Sequence, residues 1–210
     1  MNKQLERLVH LKDRGFNPKS IIDIGANIGQ WYAIANDVFP NADILSIEPN
    51  PPSFDELVKI NPNSKQLLLG DSNNKVVEFF VNEDDDKCTG ASIYLEQTHY
   101  YSTPTVIPLT MGTLDKLNMK FDLIKIDVQG AELDVLQGGL NTLQHATFVT
   151  LELAVMRYNK GAPLINEVIQ YMSAHDFMIF DIFELHYLNG ALNQIDICFL
   201  NKKYNYMVEL

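Results

Sequence analysis

Ser20-Ile21-Ile22-Asp23-Ile24-Gly25-Ala26-Asn27-Ile28-Gly29-Gln30-Trp31 is an apolar run that ends in a glycine turn and restarts as a helix. Ile21, Ile22 and Ile24 are β-branched and read as a buried parallel strand, with Asp23 at its carboxyl end. Gly25 and Gly29 allow a tight turn and let a ligand come close to the main chain. A helix starting near Ile28 aims its free N–H groups at the same spot, where an acid at the strand tip can bind amino or hydroxyl groups. Strand, acid, turn and helix together favour a cofactor loop over an ordinary strand-to-helix connection.

Outward from this stretch the pattern repeats. Trp31, Tyr32, Ile34, Ala35 and Val38 form a mostly apolar helix stopped by Pro40, and Asp43 to Glu48 is a second short buried strand ending in an acid. Glu48 lies 19 residues beyond Gly29 (48 − 29), near the spacing at which a second-strand acid receives the ribose hydroxyls of an adenosine cofactor. The alternative for Glu48 is to cap the helix that follows, over Ser53 to Ile60. Lys65 to Leu69 reads as a third strand, whose tip offers Asp71 or Ser72 to an adenine amino group, unless Gly70 to Asn74 is simply a turn. Ahead of the first strand, residues 2–14 carry Leu5, Leu8 and Val9 at helical spacing and predict a helix across the sheet edge.

The alternation then changes. Val76 to Val81 and Thr105 to Leu109 read as strands of an accessory β and loop region around 75–110, with a polar loop over 82–90. Tyr94, His99, Tyr100 and Tyr101 follow no period and either line a pocket or pack on the sheet edge. Phe121 to Val128 is a fourth buried strand, and Lys125, Asp127, Gln129, Gly130 and Glu132 gather around its carboxyl end. Ligands in open α/β sheets bind just outside the carboxyl ends of strands, which makes Asp127 the informative acid; Glu132 also suits the positive end of the helix it begins. Thr147 to Leu153 is a fifth strand carrying Glu152, Pro163 to His175 an amphipathic helix, and Phe177 to Phe183 and Ile195 to Leu200 two closing strands around a turn at Asn189-Gly190.

The bulk properties set the class. With 210 residues, 46% of them apolar, the chain suits one α/β domain, and no stretch approaches the roughly 18 apolar residues of a membrane span. A charged Met1 to Arg14 is unlike a signal peptide, so a cytoplasmic protein is expected. Cys88 and Cys198 are too few and too far apart for a disulfide framework or a zinc site. A formal charge of −11, from 27 acids and 16 bases without a basic patch, argues against nucleic acid as a partner.

Four segments in order, Asp23 to Trp31, Ile47 to Pro51, Leu114 to Leu117 and Ile124 to Gly139, resemble the FkbM family of methyltransferases. The resemblance runs from about Leu8 to Leu200 and is most specific at 124–139; Gln129 departs from it, since the family often has glutamate there. It implies a Rossmann-like seven-stranded sheet, mostly parallel with the last strand antiparallel and helices on both faces, forming one S-adenosylmethionine-dependent domain. It also implies O-methylation of a hydroxyl on a small molecule or saccharide. By resemblance, Asp23, Gly25, Ala26, Asn27 and Gly29 hold the methionine and ribose portions, Glu48 the ribose hydroxyls, and Asp71 or Ser72 the adenine, with Asp127 beside the transferred methyl.

Methyl transfer from a sulfonium is a direct displacement, so the protein must align an acceptor oxygen and relieve it of a proton. Asp127 is the first candidate for base or acceptor orienter, with Lys125 lowering its pKa or positioning it. Glu132 and Glu152 stand in reserve, and His99 serves if its loop folds over the site. Asp127 and Glu152 together can alternatively hold a divalent cation that acidifies the hydroxyl. Two rivals are weighed. A nicotinamide dehydrogenase lacks support, since Asn27 stands where the second glycine of Gly-x-Gly-x-x-Gly belongs and no Tyr-x-x-x-Lys pair occurs. A cofactor-binding protein without catalysis is separable only by assay. The acceptor pocket is expected from the 82–104 insertion and the loops after Leu153 and Phe183.

Overall fold

The computed structural model describes residues 2–82, 89–98 and 103–204. In chain order these form helix α1 (Lys3–Asp13), strand β1 (Ser20–Ile24), α2 (Gln30–Val38), β2 (Asp43–Ile47), α3 (Pro51–Ile60), β3 (Ser64–Lys65), β4 (Leu68–Leu69), β5 (Val76–Val81) and β6 (Thr105–Gly112). After a 3-10 turn at Leu114–Leu117 come β7 (Leu123–Ile126), α4 (Glu132–Gln137), α5 (Leu140–Leu143), β8 (Phe148–Ala154), α6 (Ile165–Ala174), β9 (Phe177–Leu188) and β10 (Ala191–Asn201). Cys88, His99, Tyr100 and Tyr101 lie outside the described residues.

Seven strands pair in the order β3-β2-β1-β7-β8-β10-β9. The β1, β2, β3, β7 and β8 pairings are parallel, and only β10 runs against its neighbours, antiparallel to both β8 and β9. The doubly wound sheet with an antiparallel last strand is therefore present as read. The central strands are apolar on both faces because helices cover both. Ile22, Ile24, Ile124, Ile126, Val149 and Leu151 pack toward the side of α4 and α6, where Val135, Val168 and Met172 meet them. Ile21, Leu123 and Phe148 face the other way, against Leu8, Leu11, Trp31 and Ala35 of α1 and α2. The N-terminal helix also touches the edge strand β9, as expected.

Two boundaries differ from the expectation. The segment 65–69 is not one strand: Ser64–Lys65 adds to β2, whereas Leu68–Leu69 leaves the main sheet and pairs parallel with β6. Leu68 packs with Phe79, Val81 and Met111, so apolar burial beneath the β5-β6 hairpin outcompetes continuation along β2. Second, β9 runs on to Leu188 rather than stopping at Phe183. Its pairing with β10 continues through Leu185, His186, Tyr187 and Leu188, and Gly190 closes the turn with φ 79°. The expected loop after Phe183 is thus strand, and its side chains are held in register.

Phe148 shows what the core demands. It is fully buried, with Phe16 and Phe180 packed edge-on at ring-centroid separations of 4.9 and 5.1 Å. Phe148→Ala empties that junction and is expected to lower stability by about 3–5 kcal/mol in urea unfolding.

Candidate active site

A cavity of about 330 Å³ opens at the carboxyl ends of β1, β2, β7 and β8. That is within the range of small-ligand sites. Its first wall is the glycine turn. Gly25 sits at φ 79°, and a Cβ there would stand 1.8 Å from the Asp127 carbonyl oxygen, so no other residue fits. The Gly25 and Ala26 N–H groups both donate to the Ile47 carbonyl, at 2.9 and 3.0 Å. Gly25, Ala26 and Asn27 line the cavity, whereas Gly29, at φ 89° where α2 begins, faces Leu57 behind the loop.

Glu48 clamps that turn to the next one. Its carboxylate accepts hydrogen bonds from the backbone N–H groups of Asn27 and Asn50, each at 2.8 Å, at the edge of the cavity. Burial raises its pKa to about 7, against the pull of those two donors. Beside it, the wall continues through Leu67, Leu68 and Leu69. Asp71 and Ser72 are not among the lining residues: the Ser72 hydroxyl donates to Asp71 at 2.6 Å, and Lys75 stands 3.8 Å from Asp71. The diversion of β4 into the small sheet has turned that strand tip away.

Asp23 is likewise not part of the lining. It is wholly buried one residue short of the β1 tip, in register with Lys125 of β7, whose ammonium lies 3.7 Å away. Its carboxylate oxygens accept no hydrogen bond among the described residues, and burial raises its pKa to about 6. Lys125 reaches past it to Asp127, donating at 2.9 Å. Burial works to discharge this lysine, but the carboxylates of Asp127 and Asp23 outweigh it and hold the ammonium charged. For Asp127, burial opposes ionisation, yet Lys125 and further hydrogen bonds keep it below the usual carboxylate range.

A chain of amides extends the site to the next strands. The Gln129 amide donates to Asp127 at 2.8 Å and to Glu152 at 2.7 Å, and the Gln194 amide donates to the same Glu152 oxygen at 2.6 Å. Burial and the nearby charges of Asp127 and Asp196 push Glu152 well above the ordinary carboxyl range. Gln129 adopts φ 54°, followed by Gly130 at φ 102°, and its carbonyl accepts from the Asn159 amide at 2.6 Å. Glu132 locks the same loop from behind by accepting from the N–H groups of Val128 and Gly130 at 3.0 and 3.1 Å. It is buried and outside the cavity lining, so it holds the loop and does not present an acid to it.

The far wall holds residues that the sequence reading passed over: Glu184, His186 and Asp196. His186 Nε2 lies 2.6 Å from Asp196 and 3.7 Å from Glu152. The hydrogen bond to Asp196 raises the His186 pKa, against burial. A signal was available. Alternation through Phe183-Glu184-Leu185-His186-Tyr187 up to the two-residue Asn189-Gly190 turn extends the hairpin and puts Glu184 and His186 on one face. Thr89, Ala91 and Ile93 of the accessory region also reach the cavity.

Asp23, Glu48 and Glu132 share a sign. Their pKa values, about 6, about 7 and about 7, lie above those of the unfolded chain because burial disfavours the charge. The folded state therefore binds more protons between pH 4.5 and 7, and its stability falls as pH rises through that window. The melting temperature of the ligand-free protein is expected to drop from pH 5 to pH 8 by on the order of 10 °C or more, and Glu132→Gln to flatten the slope in a thermal-shift series.

No helix among the described residues is long and apolar enough to cross a membrane. Residues 23–179 match the methyltransferase FkbM domain. The chain is 27% identical to a hexuronic acid methyltransferase from Haloferax volcanii, over 75% of this chain and 68% of that one. In fold it is similar to magnesium protoporphyrin IX methyltransferase from Synechocystis, solved with bound S-adenosylmethionine (TM-score 0.54, 9% identity, covering 95% and 79% of the two chains). It is also similar to an S-adenosylmethionine-dependent methyltransferase from Clostridium acetobutylicum (TM-score 0.52, 8% identity, 95% and 92%). A turn that admits only glycine, an acid clamping it, and a charged constellation at the next parallel strand are thus carried by a chain that belongs to the FkbM family of S-adenosylmethionine-dependent methyltransferases.

Proposed function

We propose that the protein transfers a methyl group from S-adenosylmethionine to an oxygen of a saccharide, with a hexuronic acid the acceptor class favoured by its relative. One observation carries this reading: Gly25 is pressed against the Asp127 backbone, which puts the cofactor turn and the Asp127 carboxylate in one cavity wall. The residues suit the cofactor. The backbone of Gly25, Ala26 and Asn27 offers close approach, Glu48 has lone pairs left for ribose hydroxyls, and Leu67 to Leu69 offer an apolar face for adenine. Bound there, S-adenosylmethionine supplies an electrophilic methyl carbon on a positively charged sulfur.

Asp127 is the acceptor-orienting group in this reading. Its charge is secured by Lys125, and its position by Lys125 on one oxygen and the Gln129 amide on the other. A hydroxyl becomes strongly acidic as its oxygen gains the methyl, so a carboxylate of low basicity suffices to take the proton. The Asp127 and Glu152 pair is a poor cation seat, because the Gln129 amide fills the gap between them. The acidic wall and the formal charge of −11 favour a sugar over nucleic acid.

Radiolabelled S-adenosylmethionine offered with a panel of hexuronic acids and neutral saccharides tests the assignment. Labelled sugar is the expected product. Tight cofactor binding in calorimetry with no labelled sugar from any acceptor would overturn it in favour of a non-catalytic binding protein. Asp127→Asn is expected to lower kcat by about 10²–10⁴-fold while the cofactor Kd moves less than about threefold; unchanged kcat removes Asp127 from the reaction.

A further inference from the structure

We infer that Glu152, His186 and Asp196 form a divalent-cation site on the acceptor side of the cavity, suited to an ion such as Mn²⁺. One ligand atom from each of these residues lies within 4.8 Å of the others. All three side chains line the cavity, from β8, β9 and β10. The set mixes one imidazole nitrogen with two carboxylates, a donor combination that transition-metal dications accept.

Two independent features of the wall point the same way. The first is how Glu152 is held. The Gln129 and Gln194 amides both donate to one of its oxygens, while the other is the one 3.7 Å from His186. Such outer hydrogen bonds orient a carboxylate toward a metal in known centres. The second is charge. Among the described residues the lining holds five carboxylates, from Glu48, Asp127, Glu152, Glu184 and Asp196, against a single lysine. That lysine is already committed to Asp127 and Asp23. Glu48 and Glu152 are held above the ordinary carboxyl range and His186 is drawn toward its charged form, yet a hexuronate would bring its own negative charge against the remaining carboxylates of this wall and meet repulsion there. A dication seated on Glu152, His186 and Asp196 removes the repulsion. It leaves coordination positions for two acceptor oxygens and makes a bound hydroxyl more acidic.

The metal's part in transfer rests on the methyltransferase reading above; its binding does not. Mn²⁺ titrations of the full chain, followed by electron paramagnetic resonance of the free ion and by calorimetry, test binding directly. One saturable equivalent is expected in the wild type. The affinity is expected to fall at least about tenfold in His186→Ala and in Asp196→Asn. S-adenosylmethionine affinity, measured on the same samples, reports that each variant is folded. Wild-type protein that does not saturate with millimolar Mn²⁺, or variants that bind it as well as wild type, would overturn the site and leave His186 and Asp196 as a plain ion pair. Mn²⁺ binding that follows this pattern without methyl transfer would retain the site and reject the proposed function. Transfer that persists in a chelator would retain the proposed function and reject the metal's part in it, while the Mn²⁺ titration alone decides the site.

Discussion

Lys125 is a cation buried between two carboxylates, and the carboxyl end of the sheet is arranged around it. Placing an ammonium under the cavity costs several kcal/mol of lost hydration unless partners compensate. Asp127 at 2.9 Å and Asp23 at 3.7 Å supply that compensation, with the Trp31 ring 5.9 Å from the ammonium. The consequence for Asp127 is an ionised, immobile carboxylate at the point where the cofactor turn and the acceptor wall meet. Asp23, which looked from its place in the chain like a ligand-binding acid, lies buried beside Lys125 and outside the cavity lining.

Two other acids do mechanical work of a similar kind. Glu48 ties the Asn27 and Asn50 N–H groups together, and Glu132 ties those of Val128 and Gly130. Each satisfies two backbone donors of its loop, and each is made less acidic by its burial. The two loops that form the cavity are therefore tied down by the same kind of bond. Gly25 joins them, because its missing side chain is what lets one loop touch the other.

The closing hairpin supplies the other half of the site. Since β10 runs antiparallel between β8 and β9, a residue near its start comes level with the carboxyl end of β8: Asp196 is in register with Glu152 and Gln194 with Ala154. The same pairing sets Gln194 opposite His186. Strand reversal thus gathers side chains that lie far apart along the chain.

The sequence by itself determined the doubly wound sheet, its antiparallel ending and the glycine turn, because those depend on local signals: β-branched runs buried on both faces, glycines at the turn, and acids at the ends of the first two strands. It also located Lys125, Asp127 and Glu152 at one end of the sheet. Only the tertiary structure placed Asp23 and Glu132 in buried positions behind the cavity lining, Asp71 and Ser72 outside it, and Glu184, His186 and Asp196 along it. The physical reason lies in what those assignments rest on. The register of β10 against β8, the pull of Leu68 into a second apolar cluster, and the balance of buried charge around Lys125 arise between segments distant in the chain, so no local pattern of residues encodes them.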